Sequence, residues 1–552
     1  MEIGGCLCRL KRRFLSAGWL FLPIGCLLLL ASGCKGRSEG DGIATTLRVG
    51  IAVEPNTLDP QRMIDFSPIF VARGLFEGLV ILDENTLEPL PGVADRWEIS
   101  PNGLVYRFHL RADGRWSNGQ TVVAEDFVQA AQRILSPGLA SPTVDLYYGV
   151  ANARAFYEGH VPWEKVGIRA LSDDFLEITL ERPMPYFFSL LAHPAWSPIL
   201  RSCIEACGGW ERWDNDWARP GKLVSNGPYR LVEWRIGDRV VMEKNPFYRN
   251  GMEAGPERVV FFPIANQQTE QNAFVGGELD VTSTVPADIL DALRDKPESG
   301  LQETEALGSF YYLCNCTRPP LDNIHVRRAL ALAIDRKKLC QLLHRDGRFV
   351  AGHLVPRGTG GYVYDGKEVL WDPKMARQEL AIAGYPNGVG LPPMGITFNT
   401  SGQHRLIAQA VQEMWRDVLG IAVELNCEDW KSFLFTRRSG NFFIARGGWM
   451  GDYNDPTTFL GLFCGDAPNN FSRWQDGNFD QSMLAAEMAR DGEERLGHIA
   501  AAEECLIGAM PIIPLYFETH KHRVARRVHG WQPNLLDYHL YQNVRLDSEK
   551  LP

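Results

Sequence analysis

The chain has 552 residues, of which 45% are hydrophobic and 22% are charged, and its formal net charge at pH 7 is −10. This length exceeds what one ordinary hydrophobic core supports and predicts two or three domains. The acidic balance argues against a nucleic-acid partner, because binding to phosphates requires a basic face.

The N-terminal segment has the pattern of an export signal. Basic residues precede an apolar run from Phe14 to Leu30, which ends in Ala31-Ser32-Gly33-Cys34. Small residues followed by cysteine resemble a bacterial lipoprotein cleavage site, so residues 1–33 are predicted to be a lipoprotein signal peptide. Cys34 would then carry the lipid, and residues 34–43 would form a lipidated, flexible tether. The alternative is a transmembrane anchor, for which the apolar run is at the short limit.

The hydrophobic pattern after this segment predicts short strands scattered among helices. Strands are predicted at 46–53, 104–110, 175–180, 228–234 and 240–244, and helices at 70–79, 124–135, 326–343 and 404–419. Asp322 or Asn323 is expected to cap the third of these helices. Because strands and helices follow no regular alternation, the pattern indicates a mixed α/β protein with several lobes.

Twelve cysteines are present. Those that follow the predicted tether are Cys203, Cys207, Cys314, Cys316, Cys340, Cys427, Cys464 and Cys505. An exported protein can pair some of them. Cys203 and Cys207 are close enough for a local bridge, and Cys314 and Cys316 would share a face of a predicted strand. The spacings favour no zinc site, so no metal is predicted.

Eight segments follow one another in an order typical of a known family. They are EPNTLDP (54–60), RGLFEGL (73–79), PGVADRWEISPNGLVYRFHLRADGRWSNGQTVVAEDFV (91–128), LLAHPAWSP (190–198), SNGPYRLVEW (225–234), NPFYRN (245–250), VRRALALAIDR (326–336) and GGWMGDYNDPTTFL (447–460). On these motifs the chain resembles the peptide-binding class, family 5, of the bacterial extracellular solute-binding proteins, which includes the oligopeptide-binding proteins. The resemblance runs from about Arg48 to Asp547.

The resemblance implies an α/β, type II periplasmic-binding-protein fold, with two lobes, a hinge between them and an extra domain on the first lobe. Domain I is then expected at 44–76, 201–307 and 520–552. Domain II is expected at 77–200. Domain III, the second lobe, is expected at 308–519.

The function that the resemblance implies is the capture of short peptides by hinge closure and their delivery to the permease and ATPase subunits of an ABC importer. The protein would be a monomeric periplasmic or cell-surface lipoprotein without a cofactor. Proteins of this fold that bind a nickel chelate, haem or a cell-wall peptide are alternatives. A secreted hydrolase is an alternative of another class, but no Ser-His-Asp, H-E-x-x-H or paired-carboxylate arrangement stands out, so the protein is not expected to be an enzyme.

The resemblance also identifies charged residues of the ligand site. Asp452 matches the aspartate that binds the ammonium of the peptide, and a carboxylate facing an ammonium gives a strong, charge-assisted hydrogen bond. Arg446 and Arg437 match arginines near the ligand carboxylate, which suits the planar guanidinium group. His404 matches a histidine that approaches the carboxyl end of shorter peptides, and His193 matches one beside the cleft.

Aromatic and backbone positions complete the predicted site. Trp430 matches an aromatic wall, Trp449 is expected to line a side-chain pocket, and Phe274 takes an aromatic position there. Ile64-Asp65-Phe66 aligns with the strand that pairs with the peptide backbone, a contact that is independent of peptide sequence.

The chain departs from the family pattern at three positions. The oligopeptide-binding relatives with this motif layout have a disulfide where this chain has Met450 and Gly308. A family glutamate near the first side-chain pocket is replaced by Leu313. The replacement predicts a more apolar pocket that disfavours basic side chains.

Overall fold

The computed structural model describes residues 45–63, 66–249, 255–343, 349–465, 467–489 and 491–547. The predicted signal peptide, the lipidation site Cys34 and the tether lie outside the described residues, as do Ile64 and Asp65. Within the described residues, every helix is too short or too polar to cross a lipid bilayer.

Strands in the described chain form three larger sheets and two small ribbons. The strands are β1 (Thr46–Ile51), β2 (Val80–Leu82), β3 (Pro89–Pro91), β4 (Ala94–Ile99), β5 (Val105–Leu110), β6 (Ile168–Ser172), β7 (Phe175–Thr179), β8 (Tyr229–Arg235), β9 (Arg239–Lys244), β10 (Arg258–Pro263), β11 (Leu301–Cys314), β12 (Met394–Asn399), β13 (Val423–Glu428), β14 (Ile444–Met450), β15 (Ile512–Arg523), β16 (Val528–His529) and β17 (Arg545–Leu546). The five strands that the sequence predicts are confirmed, as β1, β5, β7, β8 and β9, within two residues at each end.

Helices cover these sheets. They are α1 (Phe66–Leu75), α2 (Ala124–Ile134), α3 (Ala153–Tyr157), α4 (Phe187–Leu191), α5 (Arg201–Glu205), α6 (Gln267–Val275), α7 (Leu290–Arg294), α8 (Ile324–Leu332), α9 (Arg336–Leu342), α10 (Pro373–Ile382), α11 (Gly402–Leu419), α12 (Trp430–Ser439), α13 (Thr457–Leu460), α14 (Gly477–Met488) and α15 (Gly492–Ala509). The helices predicted at 124–135 and 404–419 are confirmed as α2 and α11. Asn323, and not Asp322, caps α8, its side chain accepting a hydrogen bond from the His325 N–H.

Two helix predictions were wrong. One was wrong in its bounds, and the other was wrong in the number of helices. Helix α1 ends at Leu75 rather than at residue 79, because the side chain of Asn226 accepts from the N–H of Glu77 at 3.2 Å and donates to its carbonyl at 2.8 Å. The single helix predicted over 326–343 is two helices, α8 and α9. Asp335 lies between the two helices, and its side chain caps α9. The first helix therefore ends before Asp335 and the second begins after it.

Each of the three larger sheets contains its own set of strands. The strand order is β1-β10-β9-β8 in one four-stranded sheet, β4-β5-β7-β6 in the other, and β13-β12-β14-β11-β15 in the five-stranded sheet. Alternation explains the packing in β5, where Tyr106, Phe108 and Leu110 all point into a buried core. The sheets are compatible with the three expected domains, whose bounds stay predictions.

The long strands β11 and β15 connect two of these sheets. They pair antiparallel from Leu301–Arg523 at one end to Leu313–Ile512 at the other, with an irregular register between Glu305 and Ser309. Beyond β15, Val524 bridges to Val281, which itself pairs with Val49 of β1. The β11–β15 ribbon is therefore shared between the five-stranded sheet and the sheet that contains β1.

Gly227 in the SNGPYRLVEW motif shows why a glycine is required there. Its N–H donates to the Leu75 carbonyl at 2.8 Å, and a Cβ at this position would lie 2.5 Å from the Leu75 carbonyl carbon. The clash is with backbone, which a side-chain rotation cannot relieve. We expect Gly227→Ala to destabilise the protein by about 1–3 kcal/mol, measured by chemical denaturation.

Gly497 provides the matched control for that variant. It lies inside α15, and a Cβ there would meet nothing within 4 Å. Gly497→Ala is therefore expected to stabilise the protein by up to about 1 kcal/mol, since alanine has the higher helix propensity. Two alanine variants with the same sign would contradict the explanation by backbone contact.

Among the described residues, the expected bridge between Cys203 and Cys207 does not form. The thiols of Cys203, Cys207, Cys314, Cys316, Cys427 and Cys505 are free. Cys203 donates instead to the carbonyl of Lys222 at 2.9 Å. Strand β11 ends at Cys314, so Cys316 does not share a strand face with it, as the sequence pattern had suggested. No group of three His, Cys, Asp or Glu side chains in the described ranges is arranged to hold a metal ion.

Candidate ligand-binding site

A cavity of about 390 Å³ lies between segments that are far apart in the sequence. Its walls include residues of α1, of the short helix Val144–Tyr147, of the turn after α4 and of the loop after β14. Three predicted site residues, His193, Trp449 and Asp452, line it. The structure thus brings together residues separated by more than 250 positions.

Asp452 presents its carboxylate to this cavity. The side chain is still exposed to solvent, but the surrounding walls remove enough water to raise its pKa to about 6, and the charge of Asp145 adds to the rise. Its backbone N–H is held by the hydroxyl oxygen of Thr458 at 3.1 Å, which also accepts from Trp449 Nε1 at 3.4 Å. Asp452 and Trp449 are therefore oriented by the same threonine.

His193 lines the cavity as a neutral side chain and not as a charged one. Its Nδ1 accepts a hydrogen bond from the Ala195 N–H at 3.1 Å and so caps the short helix Pro194–Trp196. Burial, together with the nearby charge of Arg73, lowers its pKa to about 4. The imidazole is neutral at pH 7 and is held in one orientation by the backbone.

Arg446 and Arg437 lie near each other and lack acidic partners in ion-pair contact within the described chain. Both Nε atoms are buried without a hydrogen-bond partner. The pKa of each guanidinium is lowered, first by burial, and the charge of Arg446 contributes to the lowering at Arg437. The charge of Glu518 partly offsets the lowering of the pKa at Arg446. Two partly buried cations without an ion-pair partner in the described chain form a site that suits a carboxylate.

The aromatic ring of Phe310 contacts both Arg446 and His404. The Phe310 ring stacks on Tyr516 with centroids 4.8 Å apart, and the Arg446 guanidinium carbon lies 5.3 Å from the Phe310 centroid. The His404 ring lies 5.8 Å from the same ring. The pKa of His404 is lowered by burial and then by Arg446. The structure thus places His404 beside Arg446.

Trp430 lies close to Arg437. Its indole is 52% exposed and lies 6.0 Å from the Phe433 ring, which also contacts Arg437. Neither arginine lines the cavity around Asp452. Arg446 precedes Asp452 by six residues along β14 and its loop, so the two Cα atoms are at most about 20 Å apart.

Other predicted residues lie elsewhere. Phe274 contacts Arg523, whose guanidinium carbon is 4.4 Å from the ring, and it does not line the cavity. Phe66 begins helix α1, so the expected extended, peptide-pairing conformation does not include it. Leu313 is 3% exposed in a hydrophobic core, so the predicted effect on a side-chain pocket stays a prediction.

Met450 and Gly308 are direct partners across β14 and β11. A Cβ on Gly308 would lie 2.3 Å from the Met450 sulfur, so the thioether fills the space above the glycine. The register therefore agrees with the alignment that places a family disulfide at these positions. Met450 also separates the 390 Å³ cavity from a second one of about 260 Å³, whose lining includes Phe70 and Trp531.

Among the residues that sequence reasoning missed in the main cavity, two are charged, Asp145 and Arg73. Arg73 donates to the backbone carbonyls of Leu536 and Asp537, and its guanidinium carbon lies 4.8 Å from the Tyr538 ring. It therefore anchors the C-terminal segment to α1. Arg73 belongs to the RGLFEGL motif, which was a signal for it, but nothing in the sequence near Asp145 indicated its position.

Two contacts join the walls of the site at its edge. The Tyr186 and Tyr453 rings stack with centroids 4.3 Å apart and an interplanar angle of 11°. Arg182 Nη1 lies 3.1 Å from Glu487 Oε2. Tyr186 and Arg182 precede α4, whereas Tyr453 and Glu487 belong to the part of the chain after β14, so both contacts join segments that are far apart in the sequence.

The site as a whole has carboxylates at one end and guanidinium groups at the other, and the Cα atoms of Asp452 and Arg446 are at most about 20 Å apart. It suits an elongated zwitterion whose ammonium faces Asp452 and whose carboxylate faces Arg446 or Arg437. Hydrogen bonds and ion pairs of this kind bind a ligand without any covalent step.

Comparisons with known proteins agree with this chemistry. The family model of the bacterial extracellular solute-binding proteins, family 5, matches residues 88–471. The periplasmic oligopeptide-binding protein OppA of Escherichia coli K12 is 33% identical over 486 residues, which cover 87% of this chain and 87% of that protein. The oligopeptide-binding protein OppA of Bacillus subtilis 168 is 31% identical over 500 residues, which cover 88% of this chain and 90% of that protein.

Solved structures of similar proteins confirm the expected fold. The murein tripeptide binding protein MppA in an unliganded open form matches with a TM-score of 0.80 at 30% identity, covering 91% of this chain and 97% of that chain. Haemophilus influenzae OppA in complex with RPPGFSPFR matches with a TM-score of 0.72 at 29% identity, covering 91% of this chain and 99% of that chain. Both are binding proteins of mixed α/β structure.

Proposed function

Because the chain belongs to family 5 of the bacterial extracellular solute-binding proteins, we propose that it captures short peptides outside the cytoplasm and delivers them to the permease and ATPase subunits of an ABC importer. The similar proteins OppA of E. coli and of B. subtilis are named for oligopeptide binding. The role requires binding and release only, and we assign no catalytic step to any residue.

The observation that carries this proposal is the separation of unpaired charges. Asp452 faces a cavity at one end, and Arg446 and Arg437 have buried, unpartnered Nε atoms at the other. A free peptide has one ammonium and one carboxylate whatever its sequence, so it neutralises both ends. The proposed roles of His404, Trp430 and Trp449 are contacts to the ligand between or beside these charges.

Hinge closure is the proposed mode of capture. The β11–β15 ribbon passes between two sheets, and its irregular register between Glu305 and Ser309 lies next to the proposed boundary of domains I and III at residues 307 and 308. A ligand held by one lobe and contacted by the other only on closure favours the closed state. The Tyr186–Tyr453 and Arg182–Glu487 contacts would then close the edge of the cleft.

The anchor and location complete the proposal. We infer that the mature protein is a monomer held by a lipid on Cys34, in the periplasm or at the cell surface. The support is the small-residue and cysteine sequence that ends the apolar leader. The similar proteins OppA and MppA of E. coli are named as periplasmic.

Mass spectrometry of ligand released from the purified protein tests the function. A pool of peptides of about two to five residues is expected, since the Cα atoms of Asp452 and Arg446 are at most about 20 Å apart. Tri-alanine should raise the melting temperature in a concentration-dependent way, because a ligand that binds only the folded state stabilises it. Release of a metal chelate or haem in place of peptides would contradict the proposal.

Peptide affinity is expected to fall about tenfold between pH 7 and pH 5. The pKa of Asp452 in the free protein is raised to about 6, and a bound ammonium favours the ionised form. Above pH 6 the carboxylate is already ionised, whereas below pH 6 it must lose a proton before it pairs with the ligand. Isothermal titration calorimetry with tri-alanine at several pH values measures this.

The control for the pH series is Asp452→Asn, which does not titrate. Its weaker affinity for tri-alanine should be nearly constant between pH 5 and pH 7. His193 does not interfere in this window, because its pKa is lowered to about 4. A tenfold fall that persists in Asp452→Asn would assign the pH dependence to another group.

A further inference from the structure

The cavity around Asp452 contains a second carboxylate, that of Asp145. Asp145 belongs to the short helix Val144–Tyr147, which packs on the core of the β4–β7 sheet, whereas Asp452 follows β14 of the five-stranded sheet. Both side chains line the same 390 Å³ cavity. The two acids therefore approach one space from different cores.

Neither carboxylate has a cationic partner among the described residues. Asp145 is still exposed to solvent, and the backbone N–H groups of Asp145 and Leu146 in its own turn favour its ionised form. Burial raises the pKa of Asp145, and the charge of Asp145 raises that of Asp452. Arg73 lines the cavity too, but its N–H groups are directed to the carbonyls of Leu536 and Asp537.

A ligand with one ammonium leaves one of these carboxylates without a counter-charge. Enclosing an uncompensated carboxylate during closure carries a desolvation penalty, whereas a second cation removes the penalty and adds an attraction. The cavity walls also include Met63, Ile69 and Leu146, which suit the methylene stem of a long basic side chain.

We propose that Asp145 is a specificity-determining residue that selects peptides whose first residue carries a basic side chain, the α-ammonium binding Asp452 and the side-chain cation binding Asp145. This inference rests on the proposed function. The ligand site itself does not depend on Asp145, because it is supported by Asp452 and by the unpartnered Nε atoms of two arginines. The expectation that Leu313 makes the first side-chain pocket disfavour basic side chains is opposite in sign, so the comparison of the two tripeptides below tests both.

Two tripeptides test the proposal by isothermal titration calorimetry at pH 7.5 and low ionic strength. Lys-Ala-Ala and norleucine-Ala-Ala have side chains of similar length and shape, and only the first carries a side-chain charge. Wild-type protein should bind Lys-Ala-Ala at least tenfold more tightly. In Asp145→Asn the ratio of the two affinities should fall to about one.

Asp173→Asn is the matched control variant. Asp173 is an exposed acid in the same region of the chain and does not line the cavity. This variant should retain the wild-type ratio, and both variants should keep the wild-type circular dichroism spectrum and melting temperature.

The outcomes separate this inference from the proposed function. If norleucine-Ala-Ala binds and Lys-Ala-Ala binds no better, the role of Asp145 is wrong while peptide binding stands. A preference for lysine that persists in Asp145→Asn also overturns the role of Asp145. If neither peptide binds wild-type protein, both proposals fail.

Discussion

Replacing Asp452 by asparagine should weaken the binding of tri-alanine by about 100-fold, because the ligand ammonium then lies in a closed site without its counter-charge. The replacement keeps the size and shape of the side chain. The backbone N–H of Asp452 still reaches the hydroxyl of Thr458, so the loop should keep its conformation. Calorimetry or a peptide-dependent thermal shift measures the loss.

Acetylation of the peptide amino group is the complementary change. N-acetyl-tri-alanine should bind wild-type protein about 100-fold more weakly, and it should bind Asp452→Asn with little further loss, since both changes remove the same interaction. Asp288→Asn is the matched control, because Asp288 is an exposed acid that does not line the cavity. Additive losses would show that Asp452 and the peptide ammonium do not contact each other.

A buried ion pair joins Asp59 of the EPNTLDP motif to Arg133 of helix α2. Asp59 of EPNTLDP accepts from Arg133 Nη2 at 2.7 Å and from Trp217 Nε1 at 3.1 Å. The side chains of Arg133 and Asp59 are 0% and 2% exposed. Burial would raise the pKa of Asp59, but the charge of Arg133 and the hydrogen bonds from Arg133, Trp217 and Gln61 hold it below its ordinary value.

Replacing Asp59 by alanine should destabilise the protein by about 3–5 kcal/mol, because it leaves the Arg133 guanidinium buried without a partner. Chemical denaturation followed by tryptophan fluorescence measures the change. Since the pKa of Asp59 is lowered in the folded state, its contribution to stability is complete above the unfolded-state pKa. The contribution is lost as the pH falls through the lower folded-state value.

A double variant distinguishes this ion pair from a general packing effect. Asp59→Leu with Arg133→Met removes both charges, so it should be less destabilised than Asp59→Ala. Asp214→Asn is the exposed control, since Asp214 pairs with Arg212 at the surface, and it should leave the denaturation midpoint unchanged. Equal effects of Asp59→Ala and Asp214→Asn would contradict the argument.

Local patterns predicted the regular elements well where the deciding contacts are local. The alternation of β5 and the apolar spacing of α2 depend on neighbours two to four residues away. The ends of helices depended on distant residues. Asn226 ends α1 across 149 positions of sequence, and no helical periodicity contains that information.

The candidate site was likewise predicted only in part from the sequence. Asp452 and Trp449 were identified because they lie in one continuous motif, and Arg446 because it directly precedes that motif. The structure added that Asp452 and Trp449 both donate hydrogen bonds to the Thr458 hydroxyl, and that the Arg446 guanidinium packs against the Phe310 ring. Phe274 shows the limit of motif matching, since its ring contacts Arg523 outside the cavity.

By itself the sequence determined the family, the acidic charge, the positions of five strands and the residues within motifs, because each of these is a property of contiguous residues. Only the tertiary structure decided which motifs meet. It paired Asp59 with Arg133 across 74 positions and brought Asp145 to the cavity of Asp452. The physical reason is that burial and unpaired charge depend on which surfaces the chain closes together, and that depends on contacts that no short window of sequence contains.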